Sequence, residues 1–307
     1  MTCASETAPP PDRSGFQDEY PFRSHFLPID GHRYHYVDEG DGPPLLMVHG
    51  NPTWSFAWRN LIRRLGQGYR VLAVDHLGMG FSDKPQVYSY DLAHHIANLQ
   101  TFLEQLDLTR VTLIAHDWGG AIGLGAALRS PDRFARFVLM NTAAFPSKRI
   151  PWRIAVCRTP VLGALAVRGL NAFARAALRQ AVAKPEQITA SIRRGYLAPY
   201  DSWRNRIAIL RFVQDIPMSK RHPSYATLAE IEQGLSRFRR HPVLLIWGER
   251  DWCFTRHFLE EFQRHWPQAE TVTLPEAGHY VFEDARERIA AEVGRFLRQT
   301  SPRDNSL

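Results

Sequence analysis

An aspartate stands where an apolar run meets two adjacent glycines, in the segment Leu113-Ile114-Ala115-His116-Asp117-Trp118-Gly119-Gly120. This pattern predicts a buried strand, one tight turn at Asp117 and a helix that begins at the glycines. Small residues on both sides of the turn allow a strained backbone to pack closely between strand and helix. A carboxylate presented on such a turn can attack an alkyl carbon and form an ester with it. The alternative is an ordinary turn in which Asp117 caps the helix.

Two residues later in the chain, Asp251 and His279, could complete a catalytic triad with Asp117 in the order nucleophile, acid, histidine. Asp251 and His279 each follow a predicted strand, at Pro242 to Trp247 and at Thr271 to Leu274. The carboxyl ends of parallel strands meet at one edge of a sheet, so these side chains are expected to lie close to Asp117. A histidine base needs a carboxylate to fix its tautomer and to stabilise its cation. We therefore predict His279 as the base and Asp251 as its partner.

The choice of the acid leaves one alternative, because Glu249 lies two residues before Asp251. Related enzymes can place this acid after the strand that precedes Pro242 to Trp247. That position is Asn141 in this chain, and an amide cannot carry the charge. His49 and His116 flank the predicted site. We assign both of them scaffold roles.

The loop after the predicted strand Pro44 to Val48 contains polar and aromatic residues that could reach the same site. In folds with a nucleophile on a strand-to-helix turn, this loop supplies an amide that stabilises negative charge. Asn51 and Trp54 are therefore candidates, and a turn asparagine and a packing tryptophan are the alternative interpretations.

Neither a cofactor nor a metal is predicted. Gly78-Met79-Gly80 lacks the third glycine and the immediate helix of a dinucleotide-binding fingerprint, so we interpret it as a structural loop. Cys3, Cys157 and Cys253 share no metal-binding or disulfide spacing, which favours a reducing cytoplasm. The first twenty residues include Pro9-Pro10-Pro11 and no apolar core, which is not the pattern of a signal peptide.

The elements that must position these residues alternate between strands and helices. They predict the α/β-hydrolase fold, with a mostly parallel eight-stranded sheet that starts with two antiparallel strands on either side of Asp30-Gly31. We place the core at residues 21–145 and 226–300, a helical cap at 146–225, and flexible tails at 1–20 and 301–307. Apolar and aromatic residues recur through the cap and could form a pocket ceiling, including these eight: Trp152, Val156, Leu162, Leu165, Phe173, Tyr196, Trp203 and Phe212.

Positive charge is concentrated in the cap. Between Lys148 and Arg221 there are 15 lysines and arginines and 3 acidic residues, a balance of +12, whereas the remainder of the chain has a balance of −5. Such a segment could attract an anionic membrane or an acidic partner protein, or it could be a solvated helical face. No recognition motif accompanies the charge, so nucleic acid is not predicted as a partner.

The motif His49-Gly50-Asn51-Pro52, together with His116-Asp117-Trp118-Gly119-Gly120, Asp251 and His279, resembles the haloalkane dehalogenase family. The resemblance implies that Asn51 and Trp118 donate hydrogen bonds to a leaving halide. Three further segments resemble a subgroup of that family, the β-lactone decarboxylases of bacterial long-chain olefin synthesis: Asn141-Thr142-Ala143-Ala144-Phe145-Pro146, Ala198-Pro199-Tyr200-Asp201-Ser202-Trp203-Arg204-Asn205-Arg206 and Asp215-Ile216-Pro217. This second resemblance implies a small hydrophobic substrate, with a β-lactone synthetase and other enzymes of that pathway as partners.

The same residues suit both reactions, because each substrate has an electrophilic sp³ carbon whose leaving group departs as an anion. Asn51 and the indole N–H of Trp118 would stabilise that anion. The first hypothesis is therefore decarboxylation of a cis-β-lactone through attack by Asp117 on the alkyl carbon, with attack on the lactone carbonyl as a variant. Haloalkane dehalogenation is the alternative.

Three other functions are weaker hypotheses. An epoxide hydrolase would use Tyr196 and Tyr200 of the cap as acids, and fluoroacetate hydrolases share the aspartate turn. A non-catalytic ligand-binding protein is the remaining class, and its usual sign is a damaged triad. All three triad members are present in this chain.

Overall fold

A mostly parallel sheet of eight strands forms the centre of the protein, in a computed structural model that describes residues 11–301. The strand order is β1-β2-β4-β3-β5-β6-β7-β8, and only the pairs of β2 with β1 and β4 are antiparallel. The predicted eight-stranded α/β-hydrolase sheet is therefore confirmed. The strand bounds are β1 His25–Ile29, β2 His32–Glu39, β3 Pro44–Val48, β4 Arg70–Val74, β5 Val111–Asp117, β6 Phe134–Thr142, β7 Val243–Gly248 and β8 Glu270–Leu274.

Helices cover both faces of the sheet and form the inserted cap. The twelve α-helices of the described residues are α1 Arg59–Leu65, α2 Leu92–Gln105, α3 Trp118–Arg129, α4 Trp152–Cys157, α5 Pro160–Ala164, α6 Ala172–Gln180, α7 Ala190–Leu197, α8 Ile207–Gln214, α9 Pro223–Gly234, α10 Arg256–His265, α11 Val281–Asp284 and α12 Arg286–Gln299. One π-helical turn, Leu165–Gly169, continues α5.

The central strands are buried on both faces, which explains their continuous apolar sequences. Every residue of β5 is buried, and its register pairs Ala115 with Val48 of β3 and with Leu139 of β6. Pairing continues past the apolar run, because Asp117 lies opposite Thr142. The three strands consequently end together, and the loops that follow them lie at one edge of the sheet.

The cap is built from α4 to α8, between β6 and α9. The predicted boundary at residue 225 lies inside α9, whose Leu228 and Ile231 are buried against the core helices α2 and α3. Those apolar contacts place α9 with the core. The cap helices therefore end with α8 at Gln214.

The predicted flexible tail at 1–20 is wrong for residues 11–20. Phe16 and Tyr20 are buried, and the hydroxyl of Tyr20 lies 2.6 Å from the hydroxyl of Ser55. Phe16 contacts the ring of Trp54 edge-on, at 6.3 Å between centroids. A prediction from low apolar content missed these two anchors because the segment around them contains no continuous apolar run. Residues 1–10 and 302–307 lie outside the described part of the chain.

A buried ion pair within the core is also hydrogen-bonded by the cap. Arg59 on α1 and Glu283 on α11 are both essentially inaccessible, and the guanidinium donates to Oε2 of Glu283 at 2.9 Å. The hydroxyl of Tyr196 on α7 donates to Oε1 of the same carboxylate, and Arg286 donates to Oε2 at 2.7 Å. This carboxylate is therefore bound by three separate elements.

We expect Glu283→Gln to lower the free energy of unfolding by about 3 to 5 kcal/mol, because the buried charge of Arg59 loses its buried partner and keeps only the partly exposed Glu19, at 3.3 Å. Denaturant titration followed by far-UV circular dichroism measures this difference. The matched control is the double variant Arg59→Met/Glu283→Leu, which removes both charges and should recover most of the loss. A Glu283→Gln protein within about 1 kcal/mol of wild type would contradict the role of the pair.

Candidate active site

Asp117 lies on a strained turn between β5 and α3. Its φ of 53° and ψ of −130° are unusual for a residue with a side chain. Space around the turn is short: a Cβ on Gly119 would lie 2.0 Å from the carbonyl oxygen of Val48, and a Cβ on Gly50 would lie 2.0 Å from Oδ1 of Asp117. The Asp117 side chain makes no capping hydrogen bond to α3, which contradicts the alternative of an ordinary helix cap.

A backbone amide binds one oxygen of this carboxylate. The N–H of Asn51 donates to Oδ1 of Asp117 at 2.7 Å, and the N–H of Trp118 also stabilises the charge. Burial favours the neutral acid, but the hydrogen bond and charge of His279 outweigh it, so the pKa of Asp117 lies below its usual 3.8. Asp117 is consequently an anion at neutral pH. Its Oδ1 is held in place by the amide of Asn51, and its Oδ2 faces the histidine.

His279 bridges the two predicted carboxylates. Its Nδ1 donates to Oδ2 of Asp251 at 2.8 Å, and its Nε2 lies 3.6 Å from Oδ2 of Asp117. All three side chains are buried. Burial disfavours the imidazolium, but Asp251 and then Asp117 raise the pKa of His279 to about 10. In the free protein His279 is therefore a cation between two anions, and it can act as a base only after Asp117 loses its charge.

This shift predicts a pH-dependent contribution to stability. The folded-state pKa of His279, about 10, is above its usual 6.5, so the contribution is fully present below pH 6.5 and is lost as the pH rises to about 10. We expect the unfolding free energy of wild type relative to His279→Gln to fall across this window. Denaturant titrations at several pH values measure the difference, and a value independent of pH would contradict the assigned charge state.

Asn141 orients the acid, a role that the sequence analysis did not assign. Its amide N–H donates to Oδ2 of Asp251 at 2.9 Å, while its carbonyl oxygen accepts from the N–H of Gly248 at 2.8 Å. The N–H of Cys253 donates to the other oxygen of Asp251 at 2.6 Å. Glu249, the alternative acid, is exposed. The geometry therefore places Asp251, and not Glu249, against the histidine.

Two neighbouring histidines lie in scaffold positions. The Nδ1 of His49 donates to the carbonyl of Gly50, and its Nε2 accepts from the N–H of His76. The Nε2 of His116 donates to the carbonyl of His279 at 2.9 Å. Burial, and then the positive charge of His279, lower the pKa of His116 to about 3. His116 is therefore neutral and can fix the His279 backbone without adding a charge to the site.

The predicted site residues Asn51, Trp118 and Trp54 occupy different environments. Asn51 and Trp118 both line the cavity above Asp117. One amide N–H of Asn51 donates to the carbonyl of Ile209 in the cap at 3.1 Å, which ties this side chain to α8. Trp54 is fully buried and donates to the carbonyl of Gly195, also in the cap. Trp54 therefore packs between core and cap, as its alternative interpretation held.

A cavity of about 400 Å³ lies between the sheet edge and the cap. Its polar floor is formed by Asn51, Asp117 and His279, and most of its other lining is apolar. The predicted ceiling is correct in part, because only three of its eight residues line this space. The structure places the eight as follows: Trp152, Val156 and Phe173 at the cavity, Leu162, Leu165 and Trp203 exposed to solvent, and Tyr196 and Phe212 buried away from the cavity.

The tyrosines that an epoxide hydrolase would need are engaged elsewhere. The hydroxyl of Tyr196 donates to Glu283, and the hydroxyl of Tyr200 donates to the carbonyl of Thr53 at 3.2 Å. Neither side chain lines the cavity. The structure therefore gives these two cap tyrosines no position from which to protonate a bound epoxide.

A second carboxylate that the sequence analysis missed holds the histidine loop. Asp284 accepts hydrogen bonds from the N–H groups of Gly278, Ala183 and Lys184, at 2.8, 2.8 and 3.0 Å. It thereby connects the residue before His279 to the cap. The only signal in the sequence was an acidic residue five positions after the histidine, which by itself is uninformative.

Comparison with known proteins places this geometry in a family. The α/β hydrolase fold profile matches residues 43–285. A cis-3-alkyl-4-alkyloxetan-2-one decarboxylase of Shewanella oneidensis is 41% identical, over 91% of this chain and 90% of the relative. Haloalkane dehalogenase 2 of Mycobacterium bovis is 34% identical, over 89% of this chain and 94% of the relative. The crystal structure of haloalkane dehalogenase DatA from Agrobacterium tumefaciens C58 superposes with a TM-score of 0.82 at 28% identity, covering 91% of this chain and 97% of that one.

These similarities include the cap and all the residues of the candidate site, which lie within the profile match. They confirm the resemblance that the motifs around Asn51, Asp117 and His279 indicated. The chain belongs to the α/β hydrolase family, in the branch that contains the haloalkane dehalogenases and the cis-3-alkyl-4-alkyloxetan-2-one decarboxylases.

Proposed function

We propose that this protein is a β-lactone decarboxylase that converts long-chain cis-3-alkyl-4-alkyloxetan-2-ones into cis-olefins and carbon dioxide, with Asp117 as the nucleophile. The observation that carries the proposal is the 41% identity to a decarboxylase of this name over nearly the whole chain, against 34% to a dehalogenase. The nucleophile, acid and histidine suit both chemistries, so the triad does not by itself distinguish them.

In the proposed first step, Oδ2 of Asp117 attacks the sp³ ring carbon that is bonded to the ring oxygen, and not the carbonyl carbon. The new bond is an ester bond, the ring C–O bond breaks, and its electron pair remains on the freed carboxylate. This product anion forms beside Asn51 and Trp118, whose N–H groups can stabilise it. The apolar lining of the cavity suits the two alkyl chains, which make no hydrogen bonds.

In the second step, the substrate carboxylate leaves as carbon dioxide and its C–C bonding electrons form the double bond. The ester C–O bond breaks at the same time, and its electrons return to Asp117. Attack from the side opposite the ring oxygen places the ester anti to the carboxylate, so this elimination gives a cis alkene from a cis lactone. The His279 cation stabilises the regenerated Asp117 anion, and no water is consumed.

The test is incubation of the purified protein with a cis-3,4-dialkyl β-lactone, with olefin and carbon dioxide measured by gas chromatography and mass spectrometry. The expected product is the cis-olefin in equal amount to the carbon dioxide. In H₂¹⁸O, repeated turnover should leave Asp117 unlabelled, because the route uses no water. A β-hydroxy acid as the main product, or steady ¹⁸O incorporation into Asp117, would instead support hydrolysis.

Haloalkane dehalogenation remains the second candidate, because Trp118 lines the cavity next to the nucleophile, as expected of a halide donor. Chloride or bromide release from haloalkanes at a higher kcat/KM than olefin formation would favour it. The ester formed by a haloalkane has no neighbouring carboxylate to eliminate, so its release requires water and a neutral His279. The two functions are thus separated by their dependence on water.

A further inference from the structure

Large apolar side chains are exposed to solvent on the first half of the cap. Trp152 is 72% exposed, Val161 70% and Leu170 71%. These three belong to a larger set, which we call the exposed cap face: Trp152, Val156, Val161, Leu162, Leu165 and Leu170. The helices that carry these residues, α4, α5 and the π-turn after α5, contact one another in sequence. Scattered single apolar residues are normal on a protein surface, but a group on adjoining helices indicates an interaction site.

The segment that carries this face has charges of one sign only. The sequence between Ser147 and Pro185 contains eight lysines and arginines and no aspartate or glutamate. Lys148, Arg175 and Arg179 are exposed, and Arg153 lies over the ring of Trp152 at 5.6 Å. Short helices that combine tryptophan and leucine with arginine and lysine are typical of proteins that lie in the interface of a bilayer.

We propose that the exposed cap face docks on the surface of an anionic phospholipid bilayer. The lysines and arginines would be attracted to the lipid head groups, while the apolar side chains enter the boundary of the acyl chains. Charge complementarity favours this occupant over a second copy of the chain, because two copies would bring two positive surfaces together.

The geometry limits how deeply this face can enter. No single described helix is long and apolar enough to cross a membrane. The helical segments Pro160–Gly169 and Ala172–Gln180 reach that length and apolarity only when they are taken together, and the chain bends by 72° between them. A ten-residue helix is about 15 Å long. That length is roughly half of the hydrocarbon thickness. The bent pair is therefore suited to shallow insertion along the interface.

The cavity opens beside the same face. Trp152, Arg153 and Val156 are exposed and also line the cavity above Asp117. A docked molecule would hold this mouth against the bilayer, where a water-insoluble substrate accumulates. Docking itself does not require the proposed function, and only this route of substrate entry rests on it.

The test is vesicle flotation of the intact protein, in the absence of substrate. Vesicles of phosphatidylglycerol mixed with phosphatidylcholine are compared with pure phosphatidylcholine, at about 50 mM and about 500 mM NaCl. We expect binding to the anionic vesicles at low salt. Val161→Gln/Leu162→Gln/Leu165→Gln and Lys148→Gln/Arg175→Gln/Arg179→Gln should each weaken it roughly tenfold or more. The matched control is Val87→Gln, which changes an apolar residue that is 95% exposed outside the cap and should bind as wild type does.

Absence of binding to anionic vesicles at low salt, or binding that the first triple variant leaves unchanged, would overturn the proposal. Self-association that this variant abolishes, without vesicle binding, would instead assign the face to contacts between copies of the chain. None of the substituted residues lines the cavity, so turnover of a short, water-soluble β-lactone should be unchanged in both triple variants. Vesicle binding without any lactone turnover would reject the proposed function and leave the docking surface in place.

Discussion

Asp117→Asn should reduce olefin formation by about 10³-fold or more while the protein remains folded. The amide is nearly the same size as the carboxylate, and it can still accept the hydrogen bond from the N–H of Asn51 that Oδ1 accepts at 2.7 Å. It cannot attack carbon, however, and removal of the nucleophile in comparable enzymes costs several orders of magnitude in kcat. Initial rates with a β-lactone, together with near-UV circular dichroism, measure both parts of this expectation.

Two controls make that result specific. Glu249→Gln makes the corresponding acid-to-amide change on an exposed side chain two residues before Asp251, and it should retain wild-type turnover. The Asp117→Asn protein must be freshly prepared and its mass confirmed, because deamidation would restore the carboxylate. Residual activity above about a tenth of wild type in such a preparation would count against covalent catalysis by Asp117.

His279→Phe is expected to separate ester formation from hydrolysis. Asp117 can attack a haloalkane without a base, whereas water needs one, and loss of a general base slows such a step by about 10²- to 10⁴-fold. A haloalkane should therefore leave close to one alkyl group on each protein molecule. Intact mass spectrometry measures the adduct, and peptide mapping locates it on Asp117.

The same variant gives a different expected result with a β-lactone. Elimination from the ester requires no base, so olefin formation should continue, at a rate reduced by loss of the cation that stabilises Asp117. Accumulation of a stable lactone-derived ester on His279→Phe would contradict the water-free route. If neither substrate modifies Asp117, the covalent mechanism itself is wrong.

Much of the fold followed from periodicity and turn chemistry, because parallel strands buried on both faces have long apolar sequences. The predicted bounds of β3 agree with the structure, at Pro44–Val48. Strand β6 is harder to recognise, because it includes the polar residues Arg136 and Asn141, which are buried and hydrogen-bonded within the structure. A polar residue inside a strand is not distinguishable from a loop residue by hydropathy alone.

The candidate site was easier to predict than its supporting contacts. Asp117 is the last residue of a strand, Asp251 and His279 each follow one, and strand ends can be recognised from local sequence. The contacts of Asn141 with Asp251 and of Asp284 with Ala183 join positions about a hundred residues apart. Only the folded chain shows such pairs. The same reason explains why the cap was predicted only in part. The sequence identified its apolar residues but not which of them face the cavity.

The hydrogen bonds between core and cap have a consequence for how substrate preference can diverge in this branch. Asn51 and Trp54 donate to the cap carbonyls of Ile209 and Gly195, and Asp284 accepts from the cap N–H groups of Ala183 and Lys184. In each of these bonds the cap contributes its backbone, which every amino acid provides. Cap side chains can therefore be replaced during evolution while these docking bonds persist, and recombination of one contiguous gene segment could give an inherited reactive centre a new substrate range.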